Sequence, residues 1–463
     1  MVCKGWPQVA GLGDDSVVEN RGRGGAWVKA EDLLADLKTS LGKSGLDEIE
    51  LFLKRGRSRR FEIGSHGRIA GTSEEEGWAV RASDERSSLF AAGSGAEPML
   101  DSWPPADGRP VRLPTAQPIS AWKSPPDLDA PLLVDSEAIS LLEAIEIQLV
   151  REVPGGRLLR GVLEEGSSES DLANSRGVSV GFRSRAAALY LEVAGPWRGS
   201  AGASFYLAER EARRFNPGAL ARQAANRLVL GHEGTPPDRD RGEMLLAPAV
   251  ATRLLLALLP ILVGEDGKDL AKAFRDRSGR IGSPRLSLID DGRYPGGVME
   301  APVDGEGYPT REVVLVEEGA LRQPLRSWRQ VSPPDRAVGC IRRPSWRDLP
   351  RIGCSHLYLR SDPETPAADL LSSVARGYYL VDTTGGGHFD LRQDRFSLPV
   401  CGLVLRQGRA DAPVGGAWLC GAVSSFLRGI QAVARDLLFL PGDGMIGSPT
   451  LLVTGLELRK EPG

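Results

Sequence analysis

Two runs decide the fold: RLLRGVLEEG (residues 157–166) and GVSVGFRSRAAALYLEVAG (residues 177–195), joined by the polar SSESDLANSR (residues 167–176). Both read as alternating runs, most plainly at Val178, Val180 and Phe182 and at Leu189, Leu191 and Val193, the period of a strand with one face buried. Two such runs with a polar piece between them predict a β-hairpin, with 167–176 as its connection. Upstream, Asp135 is placed to cap a helix whose Ala138, Leu141, Leu142, Ile145 and Leu149 share one face. Downstream, a second helix is expected over 217–230, ended by GHEGTPPDRDRG (231–242), whose glycines and paired prolines mark a boundary. Nearer the amino terminus, Leu33, Leu34, Leu37 and Leu41 have helical spacing, with Gly42 as the residue just past the helix end. IELFLKRG (49–56), RFEIGSHGRIAG (60–71) and GWAVRAS (77–83) then read as a small meander. Nine prolines between Pro98 and Pro131 remove backbone donors and predict a linker. From Glu243 onward the chain carries one apolar helix (249–263), many short β-like runs, and a helix signalled by Thr365 as N-cap, Pro366 at its first position and Gly377 past its end. The predicted class is α+β with a mostly antiparallel sheet. The expected domains are an N-terminal unit (1–97), the linker (98–131), a helix and hairpin region packing with that unit (132–240) and a large β-rich domain (241–463).

Composition narrows the function. The chain has 463 residues, and 58 Lys plus Arg against 61 Asp plus Glu give a formal charge of -3, with no basic field for nucleic acid or anionic lipid. Five cysteines without a C-x-x-C pair suggest neither a disulfide framework nor a thiolate zinc site, and fit a reducing cytosol. The first residues contain no apolar run of the kind a signal peptide requires. The most apolar stretch, 244–264, holds Arg253, Pro248 and Pro260, so a buried helix is expected there in place of a membrane span.

Chemistry is sparse. Histidines occur at positions 66, 232, 356 and 388. His232–Glu233 is followed by Pro236 and Pro237 where a zinc-binding helix would need its second histidine, so His232 is expected in a loop. Ser355 and His356 are adjacent and would point to opposite faces of a strand, which excludes a nucleophile–base pair. LGKS (41–44) reads as a helix end and GDGMIG (442–447) as a turn between strands, neither as a phosphate loop. Asp290–Asp291, Asp304 with Glu306, and Glu317–Glu318 each lie beside a glycine and read as hairpin turns, with acid–base catalysis as the alternative. TTGGGHFD (383–390) is the most unusual backbone feature. Its glycines Gly385, Gly386 and Gly387 would let Thr383, Thr384 and His388 line the approach of a peptide or partner chain, with a flexible bulge as the equal alternative.

Several stretches resemble, in order, the TldD/PmbA family, described as gyrase modulators and peptide-maturing peptidases. They are ELFLKRGRSRRFEIGSHGRIAG (50–71), DLANSRGVSVGFRSR (171–185), VDGEGYPTREVVLVEEGALRQPLRS (303–327), TPAADLLSSVARGYYLVDTTGGGHFD (365–390), GGAWLCGAVSSFLRGIQAVARDL (415–437) and GSPTLLVTGLEL (447–458). Residues 1–25 and the proline segment have no counterpart. In this family the TldD subunit resembles a zinc peptidase whose ligands come from an H-E-x-x-x-H helix and a late cysteine loop. There zinc would polarise the scissile carbonyl and the Glu would act as base. In this chain the corresponding helix reads RLLLALLPILVGEDG (253–267), with Ala257, Leu258 and Leu262 near the ligand positions and no His or Glu before Glu265. The late loop reads LPGDGMIGSP (440–449), without cysteine. Both halves of the metal site are missing, as in the TldE type. The resemblance therefore implies a cytoplasmic, metal-free pseudoenzyme subunit. It would pair with a TldD-like, zinc-bearing partner around a chamber that admits unfolded or leader peptides, held as an added strand. The alternative is a homodimeric peptide-binding scaffold of the same fold.

Overall fold

The computed structural model describes residues 28–64, 67–98, 103–122, 133–197, 202–263, 272, 274–276, 278–331 and 339–460. Cys3, His66 and Glu265 lie outside them, as do Pro125, Pro126 and Pro131 of the proline segment. The first half is one antiparallel sheet in the order β3-β2-β1-β4-β5-β6. Its strands are β1 (Glu48–Gly64), β2 (Gly67–Ser83), β3 (Ser88–Ser94), β4 (Arg157–Asn174), β5 (Ser179–Ala194) and β6 (Ala203–Glu209). Helices α1 (Ala30–Gly42), α2 (Asp135–Glu152) and α3 (Pro217–Glu233) cover one face. Period-two alternation sorts β1 between two environments. Ile49, Leu51, Leu53, Phe61 and Ile63 point into the helix-side clusters, whereas Phe52 packs with Ala79, Leu172, Val178 and Trp346 on the other face.

The hairpin is real, but its connection is shorter than its polarity suggests. SSESDLAN continues β4, in register with β1 from Ser167↔Arg57 to Ala173↔Leu51, and the turn falls at Ser175–Gly177. Asn174 Oδ1 accepts from the amides of Arg176 and Val178, and Gly177 takes φ +89°. These residues are polar because Glu169 pairs with Arg55 and Ser168 and Ser170 face the other half of the molecule, not because they form a loop. Part of the proline segment, residues 103–122, holds no helix or strand. It is nevertheless tied to the sheet: Val111 N bonds Ser83 Oγ, Leu113 N bonds Glu48 Oε2, and Asn174 Nδ2 bonds Pro114 O.

The second half holds β7 (Arg239–Asp240), β8 (Glu243–Leu246), α4 (Pro248–Leu256), α5 (Leu259–Leu262), β9 (Leu288–Asp291), β10 (Glu312–Glu317), β11 (Ala320–Leu321), β12 (Ile341–Arg342), β13 (Arg351–Ile352) and β14 (His356–Leu359). It continues with α6 (Ala367–Ser373), β15 (Arg376–Thr383), β16 (His388–Asp390), β17 (Arg395–Arg406), β18 (Arg409–Gly421), α7 (Val423–Gly429), β19 (Ile430–Val433), β20 (Leu438–Gly442), β21 (Gly444–Ser448), β22 (Leu451–Val453) and β23 (Glu457–Arg459). One sheet runs β11-β10-β9-β14-β21-β20. A second runs β19-β22-β8-β15-β17-β18-β23-β7, with β16 on β17, and β12 pairs β13. Only β14–β21 and β8–β15 are parallel among these pairings, so the mixed, mostly antiparallel α+β class holds. A single large apolar core lies around α4 and α5.

Local signals misplaced several ends. The apolar stretch expected as one helix over 249–263 is two, because the chain breaks at Ala257–Leu258 and restarts at Leu259, next to Pro260, which lacks the N–H a continuous helix would use. Thr365 does not cap α6, which starts after Pro366; its Oγ1 instead bonds Asp362 Oδ2. Gly377 belongs to β15, where a Cβ would come 2.1 Å from Glu243 O, so close pairing with β8 explains that glycine. Val134, not Asp135, precedes α2, and Asp135 is ion-paired with Arg59. Gly42 ends α1 from within, and the left-handed residue beyond it is Gly45 at φ +81°.

Candidate functional site

The two elements on which the resemblance places metal ligands come together. Helix α4 packs on β20 and β21, and a Cβ at Gly442 would lie 3.1 Å from Leu256 Cδ1. Around that contact Leu254, Leu255, Leu258, Ile261, Leu262 and Ile446 are all buried in one hydrocarbon cluster. GDGMIG is the β20–β21 hairpin, with Gly442 paired to Gly444. A cysteine does reach this hairpin from another direction, which its sequence position did not reveal. Cys354 Sγ donates to Asp443 O at 2.7 Å, and burial holds its thiol well above the usual range. Among the described residues no three His, Cys, Asp or Glu side chains gather to hold an ion. Leucine and alanine offer zinc no donor, so the residues present do not fit the family's metal.

Histidines take structural roles. His356 is 1% exposed; its Nδ1 donates to Asp291 O at 3.0 Å and its Nε2 accepts from Met299 N at 3.3 Å. Burial, helped by the positive charges of Arg342 and Arg210, lowers its pKa to about 4 against the opposing pull of the Asp291 carbonyl. His232 stands in the last turn of α3, not in a loop, and stacks on Trp197 with ring centroids 4.2 Å apart.

The carboxylate clusters separate. Glu317, Glu318 and Gly319 do form the β10–β11 turn, with φ of 47° at Glu318 and 79° at Gly319. Asp290 and Asp291 instead lie within β9, both buried. Asp304 and Glu306 occupy a turn closed by Val303↔Pro309, yet they are 3% and 1% exposed. Asp304 accepts from the amides of Glu306, Tyr308 and Ile341, while burial pushes its carboxyl up to about 7. Glu306 accepts from Arg81 Nη1 at 2.8 Å and from both terminal nitrogens of Arg329 at 2.9 Å. Burial opposes its charge, but Arg81 and Arg329 overcome that and hold it at about 2. Arg81 also binds both oxygens of Glu50, at 2.9 and 2.6 Å, and Glu50 pairs in addition with Arg343. This buried network joins β1 and β2 to the second half of the chain.

The TTGGGHFD segment splits. Thr383 is buried at the end of β15, and a Cβ at Gly387 would meet Leu398, Phe389 and Ser397 within 3.0 Å. Thr384, Gly385, Gly386 and His388 are exposed. Thr384 N bonds Pro399 O and β16 pairs with β17, so the segment runs along one edge of β17. Among the described residues no strand covers the outer edge of β16.

This architecture is that of a metallopeptidase family's fold. Residues 129–231 match the PmbA/TldA metallopeptidase central domain and residues 239–460 its C-terminal domain. The chain belongs to the PmbA/TldD family. A metalloprotease TldD homolog of Haemophilus influenzae is 26% identical over 193 residues, 40% of this chain and 39% of the relative; the chain thus spans about two fifths of that relative's length. The crystal structure of TldE from Thermococcus kodakarensis superposes with a TM-score of 0.75 at 18% identity, covering 92% of this chain and 99% of that one. A Thermotoga maritima structure gives 0.76 at 16% identity, over 92% and 99%. No described helix is long and apolar enough to cross a membrane.

Proposed function

We propose that the chain is the non-catalytic, TldE-like subunit of a cytoplasmic two-chain zinc metallopeptidase that degrades or matures unfolded or leader peptides, with the zinc held by a TldD-like partner. The observation that carries this reading is the junction of α4 with the β20–β21 hairpin. There α4 packs on the hairpin, and Ala257, Leu258 and Leu262, near the ligand positions that the resemblance implies, carry only hydrocarbon side chains. The uncovered edge of β16, beside Thr384, Gly385, Gly386 and His388, supports a role in holding an extended peptide as an added strand.

Metal content and peptidase activity test the proposal, measured for this chain alone, for a TldD-like chain carrying H-E-x-x-x-H, and for the mixture. Zinc and cleavage are expected only where the second chain is present, with light scattering showing a heavier species on mixing. Stoichiometric zinc on the isolated chain overturns the reading. An unchanged mass on mixing removes the heterodimer in favour of a homodimeric scaffold.

A further inference from the structure

The six-stranded sheet turns its helix-free face toward the second half of the chain, and a cleft runs between them. Its floor is built from Gly56 and Ser58 of β1, Gly166, Ser168 and Ser170 of β4, and Ser184 of β5; its roof comes from the 298–305 and 341–346 segments. The register places these floor residues on one face: Gly56 lies opposite Ser168, Ser58 opposite Gly166, and Ser168 opposite Ser184. From Lys54 to Ser58 the floor runs about 13 Å, four strand steps, and across three strands about 10 Å, with Phe52 beyond it covered by Trp346 and Arg343. That is the footprint of an extended peptide. Small residues let a backbone lie close, and the hydroxyls supply both donors and acceptors.

Lys54 projects from the middle of this floor. Several other cations on and around the sheet are matched, Arg55 with Glu169, Arg59 with Asp135, Arg81 with Glu50, Arg160 with Glu62, Arg176 with Glu48 and Arg185 with Glu165, whereas Arg57 on the cleft rim is exposed. Among the described residues no hydrogen bond or ion pair reaches the Lys54 ammonium. Burial lowers its pKa, and its diagonal neighbour Glu75 offsets this through space without coming within pairing distance. At the inner end of the cleft the buried network sets three guanidinium groups, those of Arg81, Arg329 and Arg343, against two carboxylates, Glu50 and Glu306. The surplus falls at Arg343. Its side chain is 2% exposed, lies 4.5 Å above the Phe52 ring, and has no hydrogen-bond partner at Nε or Nη1. Of the anions lining the cleft, Glu300 is engaged by Arg210 and the Gly296 amide and Asp304 by three backbone amides, while Glu75 lies beside Lys54 without an ion pair. With Lys54, Arg57 and the surplus at Arg343 set against the single unpaired Glu75, the cleft carries an excess of positive charge.

We propose that this cleft binds an extended peptide segment bearing a carboxylate, which pairs with Lys54 while the serine floor receives the backbone. The site is separate from the β16 edge and does not depend on the chain having a peptidase partner.

Fluorescence anisotropy on the full chain tests it, with labelled, end-blocked hexapeptides that differ only in a central Glu or Gln. The Glu peptide is expected to bind at least about tenfold tighter, the scale of one charge-assisted hydrogen bond. Lys54→Met should abolish that preference and Lys54→Arg retain it, while Ser168→Phe, which fills the floor, should weaken both peptides. Equal affinity for the two peptides, or a preference that survives Lys54→Met, overturns the proposal. Free glutarate competing as strongly as the Glu peptide also overturns it, because the ligand would then be a small carboxylate. Should Lys54→Met fail to fold, the Glu/Gln contrast in the parent chain and its loss in Ser168→Phe decide.

Discussion

Two regions of the molecule answer the same question in opposite ways. Where α4, α5 and the β20–β21 hairpin meet, leucine and isoleucine pack where the resemblance places the metal ligands, and the one buried α4 hydroxyl, that of Thr252, has no hydrogen-bond partner among the described residues. Where the first sheet meets the second half, buried carboxylates and guanidinium groups stand in close contact, matched except at Lys54 and Arg343. The first region has become pure packing, which any well-fitting hydrocarbon can supply. The network of Glu50, Glu306, Arg81, Arg329 and Arg343 is tolerable only because its members are tied to one another, and removing one leaves the rest buried without compensation.

The sharpest way to break the comparison is therefore Glu50→Ala. That change strips the acceptor from Arg81 and Arg343 together, and a loss of about 3–5 kcal/mol is expected, read from urea unfolding followed by a probe in each half. A loss near 1 kcal/mol would mean that water reaches the network. Leu258→Ala probes the opposite region. Leu258 is 2% exposed, and its truncation should cost about 2–5 kcal/mol through lost burial and a cavity. Zinc added to either variant should leave the unfolding midpoint where it was, since neither substitution creates a ligand set.

His356 tests the second half by pH. Its folded pKa of about 4 lies below the ordinary 6.5, so the unfolded chain binds a proton that the folded chain refuses between those values. The sign follows: the stability of the neutral ring is complete above about 6.5 and is lost as pH falls toward 4, by about 3 kcal/mol in all. Asp304 opposes it, because a carboxyl raised to about 7 lets the folded chain keep a proton that the unfolded chain releases. His356→Gln should thus remove a rising slope of stability between pH 4 and 6.5, and Asp304→Asn a falling one between pH 4 and 7. Both are measured by urea unfolding across that range.

Much of the architecture was legible because it is written locally. Alternation at 157–166 and 177–195 announces the hairpin, and the glycines of GDGMIG announce the β20–β21 turn. What was not legible depends on distant chain. SSESDLAN looks like a loop until β1 and the cleft are in place to use its serines and carboxylates. Gly377 looks like a helix end, although its reason is the Glu243 carbonyl, brought beside it by parallel pairing. Glu306 and Glu318 both sit beside a glycine in similar surroundings. Only Glu318 is a turn residue of the surface, while Glu306 meets Arg81 from 225 positions away. Lys54 carried no signal, since a single lysine in a strand is ordinary until its partners are counted.

The smallest expected effect falls on the glycine run. A Cβ at Gly386 meets nothing within 4 Å, and its backbone is not among the left-handed glycines, so Gly386→Ala should change stability by less than about 0.5 kcal/mol. Gly387→Ala should cost more, because that Cβ would press on Leu398 and Phe389 at 2.8 Å. The contrast separates two reasons for consecutive glycines. Packing accounts for Gly387 and leaves Gly386 unexplained. A peptide laid along the β16 edge would need the space that Gly386 leaves open, so Gly386→Val should weaken binding of a neutral extended peptide there while the unfolding midpoint stays fixed. Unchanged binding would assign the run to the bulge reading and leave the Lys54 cleft as the place where this chain grips peptide.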